Sequence, residues 1–139
     1  MDDVAEPLTR EPHVIRLGAA WCVERKGGGI ALLRPFNQPT GLTSGHRVTL
    51  VVVGTPGSAR LSLNGELLHG PVAEREDGGV GEHGWRADVT KCLRSRNELW
   101  FEPAEHVADE ELLAGRRFSL PVSFGGCQIT EARLEIVPP

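Results

Sequence analysis

The chain has 139 residues, the size of one domain, and 40% of them are hydrophobic, enough to build a core. Seventeen glycines and ten prolines make it rich in turns, yet short of the composition of low-complexity disorder. Fifteen basic against nineteen acidic side chains leave a net charge of −4, which excludes the electrostatic footprint of a nucleic-acid binder.

After a polar head over residues 1–11, alternation of apolar and polar side chains predicts strands at His13–Leu17, Ala20–Glu24 and Ile30–Arg34, with a glycine-dense turn at Lys26–Gly29. The strongest strand is His46–Val53. Its Val48, Leu50 and Val52 share one face and Thr49, Val51 and Val53 the other, the pattern of a strand covered on both sides. Thr55-Pro56-Gly57-Ser58 then turns the chain. Ala59–Leu63 and Glu66–His69 alternate again around Asn64-Gly65, and Asn-Gly between two such runs predicts a type I′ hairpin, whose central residues need positive φ. Gly70–Gly84 combines glycines and charges with almost no apolar side chain. It reads as a long exposed loop, the kind of segment that carries function.

Trp85–Val89 and Asn97–Glu102 are two further predicted strands, separated by a helical turn that Thr90 caps and from which Leu93 folds back onto the sheet. Ala104–Arg116, framed by Pro103 and Gly115, is the one helix-like stretch, too brief for more than about three turns. Arg117–Phe124 and Ile129–Val137 complete the set, the latter with Ala132, Leu134 and Ile136 inward and Arg133 and Glu135 outward. The expectation is an all-β protein, one domain over residues 1–139 with residues 1–11 loosely attached.

The longest apolar run, Val48–Val53, is interrupted by Thr49 and falls far short of the ~20 residues of a membrane helix, so no membrane partner is expected. The acidic, proline-bearing start is unlike a secretory leader. Cys22, Cys92 and Cys127 are odd in number and lack Cys-x-x-Cys spacing. They read as reduced thiols, which favours the cytoplasm.

The ordered series ARLSLNGELL, WRADVTKCL and RNELWFEP places strand, Asn-Gly hairpin, strand, Asp-Val-Thr, apolar anchor, Asn-Glu-Leu and strand in succession. It resembles the jelly-roll sugar-binding domain at the start of β-galactosidase and β-glucuronidase type glycoside hydrolases, and the wider galactose-binding-like superfamily. RPFNQPTGL and HRVTLVVVG resemble that domain's earlier strands, so the match runs from Arg34 to Pro103, about half the chain. The resemblance implies an antiparallel β-sandwich of about eight strands, with at most one short helix. Its core is expected from Val48, Leu50, Val52, Leu61, Leu63, Val89, Leu93, Leu99, Phe101, Leu134 and Ile136. The chain departs from the family at Ser62, where a large aromatic is common, and at Gly78-Gly79-Val80, where an aromatic follows the glycines. A (β/α)8 barrel needs about 200 residues or more, so no glycosidase activity carries over and the chain is not expected to be an enzyme.

Sugar recognition sets an aromatic ring beside a few fixed polar groups. Trp85, with Arg86, His83 and Glu82 beside it at the edge of the long loop, is one such cluster. Trp85 also starts an alternating strand in phase with Ala87, which is how a core residue behaves. Trp100 is out of phase with Leu99 and Phe101; it is either a ligand platform or covered by the helical segment or a second sheet. Trp21 is open to either role. Asp88 and Asn97 read as local hydrogen-bonding residues, and Asn64 as serving its turn. No metal motif, nucleophile elbow or phosphate cradle is present, and no cofactor is expected. Glu74, Glu76 and Asp77 lie close enough in sequence for the structural calcium that the resembled superfamily often holds. The functional expectation is a non-catalytic recognition module, carbohydrate-binding or, alternatively, a protein-interaction or assembly domain.

Overall fold

The alternating runs pair into two antiparallel sheets. This computed structural model describes residues 13–55, 59–68, 84–103, 113–124 and 127–139, and among them are eleven strands. One sheet holds β1 (His13–Arg16), β4 (Arg47–Thr55), β7 (Gly84–Asp88), β10 (Val122–Phe124) and β11 (Cys127–Val137). The other holds β2 (Trp21–Lys26), β3 (Gly29–Asn37), β5 (Arg60–Leu63), β6 (Glu66–Leu68), β8 (Arg96–Glu102) and β9 (Arg117–Phe118). The first runs in the order β1-β11-β4-β7, with β10 and β1 end to end along the same side of β11. The second runs β6-β5-β8-β3-β2-β9.

The all-β sandwich expected from the sequence is therefore the fold, with more strands than the eight the resemblance implies. Arg117–Phe124 is two strands: β9 pairs with β2 in one sheet and β10 with β11 in the other. Pro121 lies between them, with a fixed φ and no amide donor for a ladder, so the chain changes sheets there. β3 runs past its predicted end through Pro35 to Asn37. β2 pairs with β3 only as far as Leu33, so Pro35 meets β8 on one side and no described strand on the other, where a missing donor is tolerated. The head, most of Gly70–Gly84 and most of the predicted helix Ala104–Arg116 lie outside the described residues.

Two inner faces meet in one apolar core. Ten of the eleven predicted core residues are buried, and Leu93 packs against them partly buried. Trp85 of β7 meets Phe101 of β8 edge to face across the two sheets, with ring centroids 5.6 Å apart. Trp21, left open by the sequence, is fully buried, and its Nε1 donates to the Leu17 carbonyl at 2.8 Å. β4 is covered on both faces as its pattern predicts: Val51, on the outer side, is also buried. Its neighbours in register are Arg133 and Arg86, part of an alternating ladder Arg16–Glu131–Arg133–Glu135–Arg86 with N–O distances of 2.7–3.1 Å.

Candidate functional site

The chain between β7 and β8 is folded by its own polar side chains. Asp88 Oδ1 accepts from the Thr90 amide at 2.9 Å and the Thr90 hydroxyl at 2.6 Å. Those two bonds, the hydroxyl first, hold the Asp88 carboxyl below the usual aspartate range. The cap predicted for Thr90 is thus supplied by Asp88, while Thr90 Oγ1 accepts from the Val48 amide at 2.9 Å. Asn97, 1% exposed, accepts at Oδ1 from Asn64 Nδ2 and the Arg94 amide, and donates from Nδ2 to the carbonyls of Arg94 and Phe36. Both atoms of the amide are occupied, so Asn97 shapes this end of the sandwich and leaves nothing for a ligand.

The predicted cluster around Trp85 does not form a platform. Its ring is 3% exposed and packs in the core, because β7 turns Trp85 and Ala87 inward. Arg86, the next residue, projects to the opposite face, where it pairs with Glu135 at 2.9 Å. Adjacent strand residues cannot converge on one ligand from opposite sides of a sheet. Glu82 and His83 lie outside the described residues, as do Glu74, Glu76 and Asp77 of the calcium expectation. Among the described residues no three His, Cys, Asp or Glu side chains gather as a metal site.

Trp100 is on the outer face of its sheet and half-buried, so a second sheet does not cover it. Lys26 Nζ sits 4.4 Å from its ring centroid and its Nε1 donates to Glu98 Oε1 at 3.3 Å. One face of the indole is thereby occupied by a cation.

A concavity among the described residues lies elsewhere, where the end of β1 faces β3 and β8. It measures about 380 Å³, and its walls include Arg16, Leu17, Arg34, Phe36, Asn37 and Arg96. Arg34 projects inward in phase with the buried Ile30 and Leu32. Its Nη1 donates to the Pro35 carbonyl, and its Nε is buried with no hydrogen-bond partner. Burial lowers the Arg34 pKa, an effect that Cys22 offsets in part. Arg16 is held at 3.1 Å by Glu131. No ion pair joins Arg34 or Arg96 to a carboxylate among the described residues. A second, wider hollow of about 670 Å³ adjoins it through Arg96 and Asn97 and adds Arg94 and Glu98.

No family model matches the chain, and no curated protein matches it in sequence. Among solved structures, the β-glucuronidase of Bifidobacterium dentium, determined with coumarin-3-O-glucuronide, superposes with a TM-score of 0.54 at 17% identity over 92% of this chain and 30% of that one. The likeness is one of fold. It fits a β-sandwich like those of glycoside hydrolases, and the chain spans less than a third of that enzyme's length. No helix among the described residues is long and apolar enough to cross a membrane.

Arg34, Phe36, Asn37 and Arg96 carry no motif, which is why the sequence does not single them out. One signal is present in the pattern: Arg34 occupies the inward phase of a strand whose other inward positions are apolar. A charge at such a position is the informative exception to a hydrophobic interior. Reading that strand as ending at Arg34 hides the exception.

Proposed function

We propose that this chain is a non-catalytic recognition module of the galactose-binding-like kind that binds carbohydrate in the cleft between β1, β3 and β8. The observation that carries this reading is the cleft's composition: Phe36 and Leu17 offer apolar wall beside Arg34, which shares the inward phase of β3 with Phe36. Its described lining contains no carboxyl group, whereas glycoside hydrolysis uses a pair of them. The fold likeness to a β-glucuronidase supports a carbohydrate-related role. Saturation-transfer NMR with a panel of neutral and acidic monosaccharides tests it. Transfer to at least one sugar, lost in Phe36→Ala while the folded spectrum is kept, is the expected result. No transfer across the panel defeats the reading.

A second reading, protein interaction, has its own support. Across the outer face of the six-stranded sheet, Leu67, Ser62, Trp100, Leu33 and Cys22 stand in one cross-strand row, and Leu67 is 51% exposed. Such a row suits contact with another chain. Light scattering tests self-assembly: a mass well above 15.1 kDa that returns to it in Leu67→Glu supports this use of the face.

A further inference from the structure

We infer that the cleft takes an N-acetylated sugar, with the acetyl carbonyl on Arg34 Nη2 and the acetyl methyl group against Ile15, Leu17 and Phe36. The inference rests on the carbohydrate reading above and names the class of sugar.

Four side chains reach this cleft from the inner faces of the two sheets. Ile15 of β1 is in register with the buried Leu134 of β11 and so points to the core side. Leu17 follows it in phase, 2% exposed, with its amide donating to the Ala132 carbonyl at 2.8 Å. From the other sheet, Arg34 and Phe36 continue the inward phase of Ile30 and Leu32. Ile15 and Phe36 are partly buried against the core, so three apolar side chains surround one charged head.

That head offers the cleft a single nitrogen. Nη1 donates to the Pro35 carbonyl, and Nε is buried out of reach. Nη2 is neither hydrogen-bonded among the described residues nor buried, so it is the nitrogen a ligand meets. A carboxylate is matched by two parallel donors. Here its second oxygen would lie against apolar side chains, a charge stripped of water with no partner. A hydroxyl suits the donor but gives the apolar wall nothing to cover. An acetamido group answers both: its carbonyl oxygen accepts one charge-assisted hydrogen bond and its methyl group is apolar. About 380 Å³ lies within the ~300–1,000 Å³ typical of small-molecule sites, which leaves room for the sugar ring that carries it.

The test is an NMR titration of the whole chain with two matched pairs, D-glucose against N-acetyl-D-glucosamine and D-galactose against N-acetyl-D-galactosamine, and with D-glucuronate. At least one acetylated sugar should bind about tenfold more tightly than its parent hexose, as one added hydrogen bond to a charged donor implies, with saturation transfer strongest at the acetyl methyl protons. Arg34→Met keeps an apolar stem and removes the donor, and should abolish most of that preference. Ile15→Thr keeps the branched shape and sets a hydroxyl in the wall; it should lower the preference severalfold, and it remains informative if Arg34→Met fails to fold. Arg60→Gln, whose parent side chain lies 3.9 Å from Glu102 outside the cleft, should change nothing. Equal binding within both pairs overturns the acetyl subsite and leaves the carbohydrate reading intact. Glucuronate bound more tightly than both acetylated sugars overturns it in favour of an anion. A preference that neither Arg34→Met nor Ile15→Thr reduces puts the acetyl group elsewhere and overturns the assignment. Binding of none of the five sugars overturns the inference together with the reading on which it rests.

Discussion

The side-chain amide of Asn64 donates to Asn97 Oδ1 at 2.9 Å and so ties the tip of the β5–β6 hairpin to the start of β8. Asn64 Nδ2 also donates to the Cys92 carbonyl at 2.9 Å, and its Oδ1 accepts from the Glu98 amide at 2.9 Å. The backbone of the same residue, at φ 53, makes the predicted type I′ turn with Gly65 at φ 87. Asn64 is therefore both a turn residue and a cross-link, and it borders the wider of the two hollows at the arginine-lined end.

Asn64→Gly separates the two roles. Glycine adopts positive φ freely, so the turn is kept while three side-chain hydrogen bonds are lost. If the turn were the whole of its work, the variant would be neutral. The cross-link predicts a loss of about 1–3 kcal/mol, read as a shift in the urea midpoint.

Gly54 will not accept a side chain. At the irregularity where β11 shifts register against β4, a Cβ built on Gly54 lies 1.9 Å from the Gln128 carbonyl oxygen. That oxygen belongs to the backbone of the paired strand, so relief requires the strands to part. Gly54→Ala should cost about 3 kcal/mol, as overpacking with backbone displacement does, and should lower the thermal midpoint. An unchanged midpoint would show that the two strands have slack at this point.

The sandwich was legible because period two is a local signal. Val48, Leu50 and Val52, or Leu61 and Leu63, declare an inner face without knowledge of the partner strand, and Asn64-Gly65 fixes one register by turn chemistry alone. What could not be read locally is which neighbour a strand finds. Arg117–Phe124 alternates as one unit, yet its halves join different sheets. The site was hidden for the same reason. Leu17, just past β1, and Phe36 of β3 belong to opposite layers, and only the packing of one sheet on the other brings them to one hollow. Trp85 and Arg86, by contrast, are neighbours in sequence that the pleat sends to opposite faces.

Trp85 should behave as core. Its ring fills the space between the sheets against Phe101, so Trp85→Ala leaves a cavity that strands on both sides cannot close. The expected loss is about 3–5 kcal/mol in urea titration. Trp85→Phe, which retains an aromatic ring, should lose markedly less. A Trp85→Ala variant of unaltered stability would return the residue to the list of ligand platforms.

The Asp88 carboxyl should titrate below the ordinary aspartate value of ~3.9, because its charged form accepts two hydrogen bonds from Thr90. Since the folded value is the depressed one, its contribution to stability is full above ~3.9 and falls away as pH drops through the folded value. Thr90→Val removes the hydroxyl bond and keeps the amide bond. The Asp88 titration, followed by carboxyl carbon NMR, should therefore move upward without reaching the free value. A titration that Thr90→Val leaves in place would assign the depression to the backbone amide of residue 90, with the nearby Arg47 and Lys91 charges, and not to the hydroxyl.

Cys92 and Glu66 make the last case. The thiol donates to Glu66 Oε2 at 3.1 Å, and this bond, with burial and the carboxylate charge, pushes the Cys92 pKa up. The thiolate is the reactive form, so Cys92 should alkylate more slowly at pH 8 than an unperturbed thiol. Glu66→Gln removes the charge and weakens the acceptor while keeping the shape of the side chain, and should raise the Cys92 rate. Iodoacetamide labelling followed by peptide mass analysis distinguishes Cys92 from Cys22, whose rate should serve as the internal reference. Glu66 is exposed on β6, so the substitution itself should leave folding nearly untouched, and a change in rate reports on the thiol. An equal rate in both proteins would mean that the carboxylate does not hold the thiol in solution.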